Sequence, residues 1–150
     1  MPTRTGLIAL TNQRLADADA LLQTANTDAA FYIGGYAVEL ALKAAICKTL
    51  DRDDFYETDR SNRSVMYVQD KVMREFKTHN FSDLLILSGL STKLNTAIQA
   101  DAALEQAWAD FKFMGWSEQS RYELGNRTAG EVVNFVENTK TVVSWISNYW

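Results

Sequence analysis

The chain has 150 residues, 47% of them hydrophobic and 11% aromatic. That is enough for a single domain spanning 1–150 and burying roughly 70% of the surface its unfolded chain exposes, and too apolar for intrinsic disorder. A net charge of −4 excludes a protein coated in basic surface for nucleic acid, although not a local basic patch. The lone Cys47 excludes an internal disulfide, and one proline among seven glycines disfavours a many-turned β fold.

Leu7, Leu10, Leu15, Ala18, Leu21 and Leu22 recur at helical spacing and predict a first helix over about 5–25. Asn26 or Thr27 restarts the chain as an N-cap, with Asp28 in the first turn, and a second helix covers about 28–50. The short link makes the two helices antiparallel neighbours. The second helix is apolar almost all round over 31–47, which marks a central core element. It contains one carboxylate and one amine, Glu39 and Lys43, four apart and able to pair on one face. Gly34 and Gly35 stand in its middle, where each costs roughly 1 kcal/mol against Ala; the double cost predicts that another backbone packs close. Cys47 on this helix reads as a small core residue.

Residues 51–62 are polar and read as a loop, and a third helix follows over about 63–78, with Val65, Val68, Val72, Phe76 and then His79 on one stripe. Asn80 caps a short helix ending at Gly89, Ser91 opens another to about Gln99, and Asp101 caps a helix through Leu104, Trp108 and Phe111 to Gly115. Residues 116–126 form a connector. Thr128-Ala-Gly-Glu131 is a capping box that opens the last helix, which carries Val132, Phe135, Val136, Val142, Val143 and Ile146 on one broad face. No strand is predicted. The expected fold is an all-α bundle of four to five main helices plus short ones. The start lacks an apolar signal region, and the apolar run from position 29 ends at Glu39, short of the roughly 20 residues a bilayer needs. A soluble, cytoplasmic protein without membrane association is expected.

Three segments together are similar to a known family. The run Gly34-Gly35-Tyr36-Ala37-Val38-Glu39-Leu40-Ala41-Leu42-Lys43 resembles the helix signature of prokaryotic HEPN domains. His79-Asn80-Phe81-Ser82-Asp83-Leu84-Leu85 is similar to that family's His-Asp-Leu segment, with Asn80 and Phe81 as departures, and Trp116 followed by Arg121-Tyr122 resembles its connector. The resemblance covers 31–122 and implies an up-and-down helical bundle, usually a homodimer, with roles around RNA or nucleotides. Some HEPN proteins are metal-independent endoribonucleases of toxin–antitoxin and defence systems, with an antitoxin as partner. Others pair with a small nucleotidyltransferase, and the fold does not choose among these roles. No cofactor is implied.

The family's ribonucleases carry an arginine and a histidine four to six residues apart, and Arg74 and His79 match with four between. A histidine can exchange a proton with an RNA 2′-hydroxyl or a leaving oxygen, while an arginine holds the phosphate. With one His and one Cys in the chain, no metal site is expected. On a continuous helix five residues rotate by about 140°, so the pair converges only if the helix breaks before His79 or two chains share the site. The structural alternative has His79 hydrogen-bonding near the Asn80 cap and closing the apolar stripe.

Glu39 likewise has two readings. It is either half of a buried ion pair, with Lys43 as local and Arg121 as longer-range partner, or part of a nucleotide pocket with Arg121, where Tyr32 and Tyr36 stack a base. Residues 60–79 hold five basic against two acidic side chains, a net of +3. Arg63, Lys71, Arg74 and Lys77 are thus either a solvated helix face or a phosphate- and RNA-docking surface. Trp145, Tyr149 and Trp150 exceed what one helix end needs and suit a dimer interface. The non-catalytic alternative is a module that binds a nucleotide or pairs with a nucleotidyltransferase.

Overall fold

A computed structural model of the chain describes residues 2–55, 71 and 74–150; most of the expected third helix, Arg63 included, lies outside the described residues. Six α-helices are described: α1 (Arg4–Gln23), α2 (Thr27–Thr49), α3 (Phe81–Leu87), α4 (Ser91–Ala100), α5 (Ala102–Phe113) and α6 (Ala129–Ile146). Two 3-10 turns, Glu118–Tyr122 and Ser147–Tyr149, complete the set. Among the described residues the protein is all-helical, and the only extended pairing is one isolated bridge between Thr3 and Asp54.

The helix starts follow from short polar side chains that satisfy orphan backbone N–H groups. Thr3 accepts from Gly6 at the head of α1, Asn80 from Ser82 and Asp83 at α3, and Asp101 from Ala103 and Leu104 at α5. Thr128 and Glu131 close the expected capping box on α6. At α2 the cap position falls on Asn26, but its side chain makes no capping bond and instead donates to the Thr24 hydroxyl at 2.8 Å.

Residues 24–26 fold α2 back on α1, with Ala25 at a left-handed φ of 60°. α2 is the axis of the core, buried without interruption from Ala37 to Cys47. α1 and α6 pack along it, α3 and the 118–122 turn cover it further, and α5 packs on α6. By length and composition Thr27–Thr49 is apolar enough to cross a membrane, and 83% of its most apolar window is buried inside this bundle. Cys47 is 1% exposed, and burial pushes its thiol up to about 11.

Two expectations are corrected, and one loop is more closely packed than its polarity suggests. The helical turn at Arg74 and Glu75 ends at Phe76, not near 78, and residues 77–80 are non-helical; the Asn80 N–H turns to the Thr78 hydroxyl at 3.0 Å, which commits the segment to the cap of α3. The loop after α2 packs back on the molecule. Phe55 is 2% exposed, and residues 53–55 bond the start of the chain, Arg4 N–H to the Asp53 carbonyl at 2.6 Å and Phe55 N–H to the Pro2 carbonyl at 3.1 Å. Finally, neither mid-helix glycine meets another backbone. Gly35 lies under the Trp116 indole, so close that a Cβ there would sit 2.3 Å from its Cδ1, whereas a Cβ on Gly34 would make ordinary 3.5 Å contacts with Phe135 and Val136.

Candidate functional site

One face of α2 carries Tyr32, Tyr36, Glu39 and Lys43 at helical spacing. At its inner end lies a buried charge pair: the Lys43 Nζ donates to Glu39 Oε1 at 2.6 Å, with Glu39 only 1% exposed. A carboxylate taken that far from water needs its charge balanced and its lone pairs filled. Lys43 supplies the first, its stem running toward the Phe55 ring 5.8 Å from the ammonium. The rest comes from His79, whose Nδ1 lies 2.9 Å from both Glu39 oxygens.

His79 is therefore not the apolar end of a helical stripe. The break after Phe76 swings it over α2, where its ring spans from the core to the surface. Its side chain is 45% exposed, and Nε2 lies 3.0 Å from Glu118 Oε2 on the 118–122 turn. The ring is thus held from both sides, Nδ1 by a buried carboxylate and Nε2 by a half-exposed one. Only a ring protonated on both nitrogens donates to both carboxylates at once.

Beside Nε2 a pocket of about 630 Å³ opens between α3, α5 and the 118–122 turn, with His79, Phe81, Trp108, Trp116, Lys112 and Glu118 among its walls. Its aromatic walls pack on one another. Phe81 packs 5.0 Å from Trp116 and 4.9 Å from Phe111, and Trp108 stacks on Phe111 at 5.7 Å. The Trp116 indole is pinned by its N–H, which donates to the Tyr32 carbonyl at 2.9 Å, and by the bare backbone of Gly35 beneath it. Gly115, at a left-handed φ of 64°, turns the chain between α5 and Trp116.

The structure separates the expected site residues. Glu39 pairs with Lys43 as the spacing predicts, but its second partner is His79 and not Arg121. Enclosed and fully bonded, it does not line an open nucleotide pocket. Tyr32 and Tyr36 stack at 6.2 Å, and Tyr32 also stacks on Trp116 at 6.0 Å; burial, and then Glu39, hold the Tyr36 phenol above its usual range. Arg121 is exposed, 4.9 Å over the Tyr122 ring, its guanidinium raised by Tyr122 above all and by Tyr32. Lys71, Arg74 and Lys77 are exposed, so the described part of the basic segment faces solvent. Arg74 and His79 are not on one continuous helix, which meets the condition set for their convergence without itself bringing them together. Trp145 and Tyr149 pack 5.2 Å apart and, with Trp150, lie half-buried against the core. No group of three metal-ligating side chains occurs among the described residues.

Glu118, Lys112, Phe81 and Trp108 carry no sequence signal for this site. Glu118 sits in a polar connector and the others read as ordinary helix residues; only the fold brings them to His79. No family model matches the chain, and no curated protein or solved structure is significantly similar to it.

Proposed function

We propose that this chain is a HEPN-like, RNA-associated protein acting as a metal-independent endoribonuclease, with His79 as general acid/base and Arg74 as phosphate holder. The observation that carries this reading is the support of His79: a buried carboxylate, charge-balanced by Lys43, fixes Nδ1 at 2.9 Å and presents Nε2 at the edge of an aromatic pocket. A carboxylate behind one ring nitrogen is how a catalytic imidazole is oriented and how the cation formed on proton uptake is stabilised. In RNA cleavage the 2′-hydroxyl gives up its proton and attacks phosphorus, and the departing 5′-oxygen takes a proton. Nε2 serves one of these transfers once substrate displaces Glu118 from it. The exposed Arg74, Lys71 and Lys77, with Arg63 in the same segment, provide docking charge. The protein works as a homodimer, with an antitoxin or nucleotidyltransferase as partner.

The second reading, a non-catalytic nucleotide-binding module, is favoured by Glu118, which occupies the nitrogen that catalysis needs. The two separate on RNA cleavage in EDTA by wild type, His79→Ala and Arg74→Ala. General acid/base catalysis contributes about 10²–10⁴-fold, so His79→Ala falls by at least about a hundredfold if the first reading holds. Equal cleavage by His79→Ala removes His79 from the chemistry, and no cleavage by folded wild type leaves the binding module.

A further inference from the structure

The pocket beside His79 is wider than proton transfer requires. Its volume of about 630 Å³ lies within the roughly 300–1,000 Å³ of sites that enclose small organic ligands. Aromatic rings share its lining with polar groups, among them His79, Asn80, Ser82, Glu118 and the exposed Lys112, whose ammonium lies 5.7 Å from the Trp108 ring centroid. Phe81 is the partly exposed member of the aromatic wall, while Phe111 and Trp116 are buried. Because Phe81 and Trp116 already pack on each other at 5.0 Å, the face open to a flat ring is that of Phe81, in a pocket that Lys112 also lines. Aromatic stacking combined with a cation is the chemistry of single-stranded nucleic-acid recognition.

We infer that this pocket is a nucleobase subsite, holding the base of one nucleotide on the partly exposed Phe81 ring with its phosphate at Lys112 and its ribose beside His79 Nε2. The inference rests on the RNA- or nucleotide-associated reading above and names the part of the ligand that the site reads. The base comes from a free mononucleotide or from one residue of an RNA strand, and the two sources share the same recognition chemistry.

Isothermal titration of the full chain with GMP, AMP, UMP, guanosine and a tetraribonucleotide tests it. Wild type binds a nucleotide saturably. Phe81→Ala weakens every ligand by about tenfold, the scale of one lost stacking platform. Lys112→Ala, a surface change that leaves the fold intact, weakens the phosphate-bearing ligands severalfold and guanosine hardly at all. Binding of mononucleotides alone assigns a free nucleotide as occupant, and binding of the oligomer alone an RNA residue. The subsite is overturned if folded wild type binds none of the ligands, or if Lys112→Ala does not distinguish GMP from guanosine. RNA cleavage by a wild type that binds no base in this pocket removes the subsite and leaves the role of His79 standing. Binding without cleavage keeps the subsite and removes the nuclease.

Discussion

Gly34 and Gly35 are adjacent, carry the same helix penalty, and have opposite reasons to be there. An alanine at 34 gains about 1 kcal/mol of helix propensity and meets Phe135 and Val136 at normal contact distance. An alanine at 35 gains the same propensity but collides with an indole that cannot step aside, held as it is by the Tyr32 carbonyl. Overpacking of that kind costs about 1–3 kcal/mol. Thermal unfolding should therefore rank Gly34→Ala about 2–4 °C above wild type and Gly35→Ala below it; the reverse order would mean that the indole does not lie on α2. The glycine pair is legible in the sequence, but which of the two is constrained is not, because the constraint arrives from Trp116, far along the chain. The same boundary runs through Glu39. Its bond to Lys43 is local and follows from spacing, whereas its bond to His79 joins residues 40 positions apart, and no periodicity encodes it.

Helix starts are the most readable elements, because an N-cap is a bond between a side chain and backbone groups two or three residues away. Asn80, Asp101 and the Thr128–Glu131 box all stand where the sequence puts them. The end of the helix before His79 was misread because the apolar stripe continues through Phe76 to the histidine, while Thr78 and Asn80 together offer the backbone a competing turn. Glu131 gives the caps a pH signature. The Thr128 backbone N–H and then its hydroxyl hold the Glu131 carboxyl below its ordinary range, so the folded state favours the ionised form. That contribution is complete above the ordinary value near 4.5 and is lost as pH falls through the lowered folded value. The melting-temperature gap between wild type and Glu131→Ala should be steady near neutrality and close as pH drops below about 4. A gap that widens in acid would place Glu131 outside the cap.

At the scale of the whole molecule, one buried charge joins the core to the surface. α2 could bury a leucine at 39 and a methionine at 43 with better packing and no desolvation cost, since replacing a buried ion pair by apolar residues of similar volume is often neutral or stabilising. A purely structural account therefore predicts little loss for Glu39→Leu/Lys43→Met, while Glu39→Gln alone strands the Lys43 ammonium in the core and costs about 3 kcal/mol. The proposed function predicts something further for the double variant. Its melting temperature holds, but His79 loses the acceptor at Nδ1 and keeps only its contact with Glu118, so its side-chain 15N resonances shift. Any activity that depends on His79 then falls at least about tenfold in a protein as stable as its parent. If the double variant instead keeps both the His79 resonances and the activity, Glu39 does not position the imidazole and the pair serves packing alone. A histidine held by a carboxylate on the deeply buried α2 takes its orientation from the core, and the charge pair in an otherwise apolar stretch is the feature that folding alone does not require.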